Sequence, residues 1–177
     1  MKWSLSELSQ NSSEPLQVDT MVDIAVSIKA RDEDILAISP AHVKGIFSQD
    51  TLGLLGYLRV AVTVTVPSTR SLVPVEVPLK FDISEYYVSH HDNNIERFDE
   101  NDVVIILEND VIDLNQILED NILLQIPTKV LTTEERQQAA DLKGNDWNLI
   151  EEDHKAKNSN DVDPRMAKLK DFFKNDD

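Results

Sequence analysis

Two alternating runs, VAVTVTV and VPVEVPL, lie on either side of Pro67-Ser68-Thr69-Arg70-Ser71. In the first, Leu58, Val60, Val62, Val64 and Val66 share one parity, while Arg59, Thr63 and Thr65 share the other. In the second, Val73, Val75, Val77, Leu79 and Phe81 alternate with Pro74, Glu76, Pro78 and Lys80. A period of two puts each set on one face of a strand. Two such strands joined by a short polar loop form an antiparallel hairpin. Pro74 and Pro78 have the same parity, so both missing N–H groups belong to one edge, and the second strand is an edge strand or only partly covered.

The flanking segments supply the rest of an α+β body. Ser4-Leu5-Ser6-Glu7 has capping-box spacing and starts a short helix with Leu5 and Leu8 on one side. From Leu16 to Ile28 every even position but Thr20 is apolar, which predicts one long half-buried strand. Ile35–Ile38 and Val43–Phe47 are short apolar runs separated by Ser39-Pro40, and the polar stretch from Ser89 to Asn101 reads as a loop. Val103–Leu107, β-branched throughout its first four residues, predicts a buried strand. Asp113 then caps a helix with Gln116 at capping-box spacing, Leu114, Ile117, Leu118 and Ile122 form its stripe, and Pro127 ends it. Thr132 and Glu135 open a further short helix through about Ala140. Gly144-Asn145-Asp146 is turn chemistry, after which Trp147, Leu149 and Ile150 return to the body. The expected architecture is an antiparallel sheet or partly closed barrel followed by helices, over residues 1–150. A charged, apolar-poor linker spans 151–162. A helix over 163–177 follows, with Asp163-Pro164 at its start and Met166, Leu169, Phe172 and Phe173 on one face.

The charge excludes one class of binding. The formal net charge is −16. Eleven acids and seven bases precede Asp92, and 22 acids and ten bases follow from it. Non-specific nucleic-acid affinity comes from lysines and arginines on phosphates, so direct RNA contact is possible locally but not through net charge. A basic protein is the easier partner. No run approaches the roughly 20 apolar residues of a membrane span, the start has no apolar signal-peptide core, and cysteine is absent. A soluble cytoplasmic protein without disulfides or thiolate metal sites is expected.

Catalytic chemistry is sparse. No phosphate-cradling glycine loop and no G-x-S-x-G turn occurs. His90-His91-Asp92 is the one clustered ligand set, and neighbouring residues on a strand point to opposite faces, so a solvated loop is expected rather than a metal site. The acid runs Asp32-Glu33-Asp34, Asp99-Glu100, Glu119-Asp120 and Glu151-Glu152-Asp153 stand among polar residues and read as exposed. A metal-dependent RNA-processing nuclease built from them is the alternative from a different class. No cofactor is expected. Arg70 is the one base of the interruption. It either bonds the turn or a nearby carboxylate, or it contacts a partner from a rigid hairpin.

Ser68-Thr69-Arg70-Ser71-Leu72 resembles the Cys-x-Arg-Cys-Leu signature of the bacterial YceD family, large ribosomal RNA subunit accumulation proteins. Ile112–Pro127 is similar to that family's helix, and Asp163–Lys170 resembles its DPR-x-AKLK ending. Two positions depart from the pattern: Ser68 and Ser71 stand where many relatives carry cysteine. A serine hydroxyl is a poor zinc ligand and cannot cycle redox state, so no metal or thiol role carries over. The resemblance implies a non-enzymatic factor in ribosome biogenesis that supports accumulation of large-subunit ribosomal RNA. Family members are often encoded beside a small basic ribosomal protein. The implied partner is therefore a basic ribosomal protein or a pre-ribosomal particle. Arg70 and Leu72 of the loop, with Arg165, Met166, Leu169 and Phe172 of the terminal helix, are the candidate contacts.

Overall fold

The computed structural model describes residues 1–10, 14–92 and 94–139. The chain divides into two compact units, Met1–Leu131 and Thr132–Asp177. The turn at Gly144–Asp146, the return segment Trp147–Ile150, the linker 151–162 and the terminal helix 163–177 lie outside the described residues.

The first unit is a mixed sheet with helices, as the periodicities imply. In chain order it runs β1 (Lys2–Ser4), α1 (Leu5–Gln10), β2 (Leu16–Val22), α2 (Ala25–Arg31), β3 (Ala37–Ile38), β4 (Ala41–Gln49), β5 (Leu54–Pro67), β6 (Pro74–Ser89), a 3-10 turn (Ile95–Arg97), β7 (Val104–Leu107), β8 (Val111–Asp113) and α3 (Leu114–Gln125). The main sheet has the order β2-β4-β5-β6-β7 with β3 against β5, and β1 pairs separately with β8. All pairs are antiparallel except β6 with β7. The sheet is open and does not close into a barrel. No helix among the described residues is long and apolar enough to cross a membrane.

The hairpin is the spine. β5 and β6 pair without interruption from Leu54↔Tyr87 to Pro67↔Pro74. Leu58, Val60, Val62, Val64 and Val66 are buried, as their shared parity requires. Val73 is not part of the strand; it lies in the loop and is exposed. The Ser68 N–H donates to Val73 O, making 68 and 73 a bonded pair. Alternation along the ladder then places the ring nitrogens of Pro74 and Pro78 on the side away from β5. Among the described residues that side is open, because β7 pairs only with Tyr86–Ser89. The two prolines therefore guard a free edge.

Two further expectations are corrected. The long strand Leu16–Ile28 is instead a strand and a helix, β2 and α2. Val18, Val22, Ile24 and Ile28 are buried, and a spacing of four satisfies a helix as well as a strand. Val26, which a strand would bury, is 88 % exposed. The Asp23 carboxylate accepts from the Ala25 N–H at 3.0 Å and turns the chain into the helix. Second, Val104–Leu107 is a strand but not a buried one. It is the sheet's last strand, and Val103, Ile105 and Ile106 are exposed. Lys2–Ser4, which leads into α1, is a strand paired with β8.

One core cluster joins the inner sheet face to Ile24 and Ile28 of α2 and to Ile112, Leu114, Leu118 and Ile122 at and along α3. Asp113 caps α3, accepting from the Asn115 N–H. Arg31 ties α2 to α3 through Glu119 at 3.2 Å and through Asp120. The opposite sheet face is polar. Asp19, Lys44, Arg59 and Asp82 stand in one cross-strand row. Asp19 binds Lys44 and His42, and Asp82 binds Arg59, so each base in the row has an acid. At one end this face is closed by the Ser89–Asn101 loop: Arg97 donates to Leu52 O and to both Asp92 carboxylate oxygens, and Phe98 packs on Tyr86 at 5.1 Å between centroids.

The described part of the second unit is α4 (Thr133–Ala139), which carries the capping box expected for it. The Thr132 N–H donates to Glu135 Oε2 at 2.8 Å, and the Glu135 N–H donates to Thr132 Oγ1 at 3.2 Å.

The packing of the first unit can be tested at two positions. A Cβ on Gly56 would lie 2.8 Å from ring atoms of both Phe47 and Tyr87. Gly56→Ala should cost about 1–3 kcal/mol by overpacking, read as a lower denaturant midpoint. The Arg97 guanidinium, helped by the Asn94 N–H, holds the Asp92 carboxyl down at about 2. A depressed carboxyl stabilises the fold above its unfolded value of about 3.9. That contribution is lost as pH falls from about 4 through 2. An NMR titration should place Asp92 there, and Arg97→Ala should move it up toward the ordinary range.

Candidate functional site

The loop joining β5 to β6 is a built structure rather than a slack connection. Ser68 is fully buried directly after the last β5 residue. Its Oγ accepts from the N–H groups of Arg70 at 3.2 Å and Ser71 at 3.4 Å, and its carbonyl accepts from the Leu72 N–H at 3.0 Å. A serine hydroxyl that gathers the next backbone donors in this way forms a local turn. A second tether crosses to the segment after α3. Both the Thr69 N–H and its hydroxyl donate to Val130 O, at 2.8 and 2.9 Å. Val130 is itself buried, so the tip is fixed to the core.

The residues beyond these clamps face solvent. Arg70, Ser71, Leu72 and Val73 are exposed. The Arg70 guanidinium makes no hydrogen bond or ion pair among the described residues, so it serves neither the turn nor a nearby carboxylate. Leu72 has φ 62° and is 74 % exposed. The left-handed conformation costs an L-residue about 1–2 kcal/mol, and at that exposure packing does not offset it. Among the described residues Leu72 is thus a strained apolar side chain turned to the surface. Arg70 and Leu72 are thus brought together on one rigid tip. Arg165, Met166, Leu169 and Phe172 lie outside the described residues.

His90 and His91 stack with centroids 3.7 Å apart, and Asp92 is taken by Arg97. Among the described residues, no three or more histidine, aspartate or glutamate side chains are grouped to hold a metal ion. Sequence reading missed buried acids: Glu119, expected to be exposed, is buried beside Arg31, and Glu85 is buried as well. Glu85 points inward from β6, accepting from the Tyr87 hydroxyl at 2.7 Å and the Asn121 amide at 2.9 Å. Burial, with the Glu85 carboxylate beside it, pushes the Tyr87 phenol up. The strand period marks Glu85 as an inward position opposite Gly56, and that parity was the available signal. The Ser68 clamp was legible as turn chemistry, whereas the Thr69 tether was not, because Val130 lies far along the chain.

The architecture is thus an α+β module that displays a stiff hairpin tip. Residues 57–173 match the sequence profile described as "Large ribosomal RNA subunit accumulation protein YceD". The chain belongs to the YceD family. It is also 33% identical over 178 residues to a Bacillus subtilis (strain 168) protein named "Uncharacterized protein YlbN", an alignment covering 100% of this chain and 99% of that one. No solved structure matches the chain.

The two serines of the signature are not equivalent. Ser68→Ala should lower stability by about 1–3 kcal/mol, since it strands the donors gathered on its hydroxyl. Ser71→Ala, at an exposed position, should stay within about 0.5 kcal/mol of the parent. Equal effects in thermal or urea unfolding would contradict the clamp.

Proposed function

We propose that this chain is a non-enzymatic binding factor for large-subunit ribosome biogenesis. It supports accumulation of large-subunit ribosomal RNA by holding a basic ribosomal protein or the protein surface of a pre-ribosomal particle in the cytoplasm. The family's description supports the RNA it serves. The observation that carries the binding reading is the hairpin tip, where Arg70 and the strained Leu72 are held outward by clamps on Ser68 and Thr69. A rigid loop with an unengaged arginine beside an apolar side chain loses little entropy on docking.

Charge supports a protein partner over direct RNA contact. The whole chain carries −16. On the open sheet face, Lys44 and Arg59 are matched by Asp19 and Asp82 rather than free for phosphates. A nuclease would need convergent acids, and the acid pair Glu119-Asp120 is engaged by Arg31. The terminal residues Arg165, Met166, Leu169 and Phe172 are proposed as a second contact on their charged tether.

The test is capture from native lysate by tagged full-length protein, washed in rising salt, with and without nuclease. A basic ribosomal protein should stay bound after nuclease. The double variant Arg70→Ala, Leu72→Gly should retain the parent melting temperature or exceed it, because glycine relieves the left-handed strain. Its capture should fall about tenfold or more, as for an interface hot spot. Removing residues 151–177 should weaken capture further. Release of all protein by nuclease would replace this reading with an RNA contact.

A further inference from the structure

The sheet has free edges of two kinds. Along β6 from Pro74 to Lys80, two prolines remove the outward donors at alternate pairs. β7 carries no such guard. Tyr86 N–H donates to Val103 O and His90 N–H to Leu107 O, which fixes the parallel pattern. Ile105 and Leu107 then turn their backbone groups to β6, while Val104 and Ile106 turn theirs outward. Those outward groups have no hydrogen-bond partner among the described residues. Val103 and Ile106 are about half exposed around them, at 51% and 50%. An apolar edge without proline, lysine or inward charge is a template for another strand.

Beside this edge the inner face of β7 parts from α3 and leaves a gap of about 380 Å³. Its charged lining is mostly acidic: Glu85, Glu108, Asp113 and Asp120, with Lys2 as the one base among the described residues. Lys2 is committed to Asp113 at 3.2 Å, and Arg31 reaches Asp120 from α2. Glu85, deep in the gap, has only the neutral Tyr87 hydroxyl and Asn121 amide as hydrogen-bond donors. Glu108, at the rim, is exposed. Ile105 pairs with the inward Tyr87 and also lines the gap. On a strand added to β7, the residue alongside Ile105 would point the same way, into the acids.

We infer that the outer edge of β7 is a strand-addition site for an extended, lysine- or arginine-bearing segment of a partner protein, whose cationic side chain enters the gap between β7 and α3. Backbone bonds to Val104 and Ile106 give the affinity, and the acidic gap selects the basic side chain. A second copy of this chain is disfavoured, since two such edges would bring the same acids together. The inference rests on the proposed basic partner. It names a surface at the opposite end of the hairpin from Arg70 and Leu72.

The experiment uses the full chain and, as probe, a synthetic peptide of about ten residues alternating lysine with valine or threonine. A control peptide carries glutamate at each lysine. In the free monomer the amides of Val104 and Ile106 should exchange rapidly with solvent, and the lysine peptide should slow both about tenfold or more. The glutamate peptide should not. Ile106→Pro removes an outward N–H and leaves charge and the β6 ladder intact, so it should weaken the lysine peptide about tenfold. Glu108→Lys should do the same, and Arg70→Ala should not. Amides already protected in the free monomer would mean that the chain covers its own edge. Amides protected only in a dimer would mean self-pairing. Either result overturns the inference, as does unchanged peptide affinity in a folded Ile106→Pro. Ribosomal protein capture that survives Ile106→Pro overturns the edge as the route to that partner and leaves the proposed function standing. Loss of capture in the tip variant, with peptide binding intact, leaves the edge standing.

Discussion

The uninterrupted ladder between β5 and β6 governs everything else in the first unit. Its side-chain period is two, so a slip of one residue would move Val60, Val62 and Val64 from the core to water. With that register locked, the last turn must place Ser68 inside, where its hydroxyl gathers the donors of Arg70 and Ser71. At the other end the same register turns Glu85 and Tyr87 inward, against Gly56 and Leu54. The absence of a side chain on Gly56 lets Phe47 and Tyr87 approach to 6.0 Å, and Trp3 closes on Phe47 at 5.7 Å. The short β1–β8 pair is thus packed onto the hairpin through aromatic rings rather than through the main ladder.

The two ends of the hairpin differ in chemistry. The tip offers one cation, unengaged among the described residues, beside strained apolar surface. The far end offers open backbone, apolar side chains and an acidic gap. Between them, the polar sheet face pairs its charges internally, and exposed pairs of that kind contribute little. A net charge of −16 creates a long-range field that attracts cationic groups and repels phosphates; in the proposed function the short-range contacts fall to the two ends. The YceD family's description ties the family to accumulation of large-subunit ribosomal RNA.

Much of the secondary structure could be read locally, and the misses share one cause. Asp113 with its N-cap bond and Thr132 with Glu135 are i to i+2 and i to i+3 interactions, visible in spacing alone. Ile24 and Ile28 were ambiguous, because their spacing of four suits both a strand and a helix, and only the exposed Val26 separates the two. Val103–Leu107 reads as buried because β-branched runs usually are, yet among the described residues no strand lies beyond β7. The tip's arginine and leucine were legible as a loop motif. The acidic gap was not, since its members come from β6, β7, β8 and α3.

What the sequence by itself determined is the hairpin, its inward and outward parities, the guarded proline edge and the helix caps. Each depends on residues a few positions apart, and backbone geometry turns those intervals directly into faces and bonds. What only the tertiary structure decided is the parallel placement of β7, the pairing of Lys2–Ser4 with Val111–Asp113, the tether of Thr69 to Val130 and the burial of Glu85 beside Asn121. Those join segments far apart in the chain. No local interval encodes them, and packing of the shared core selects them.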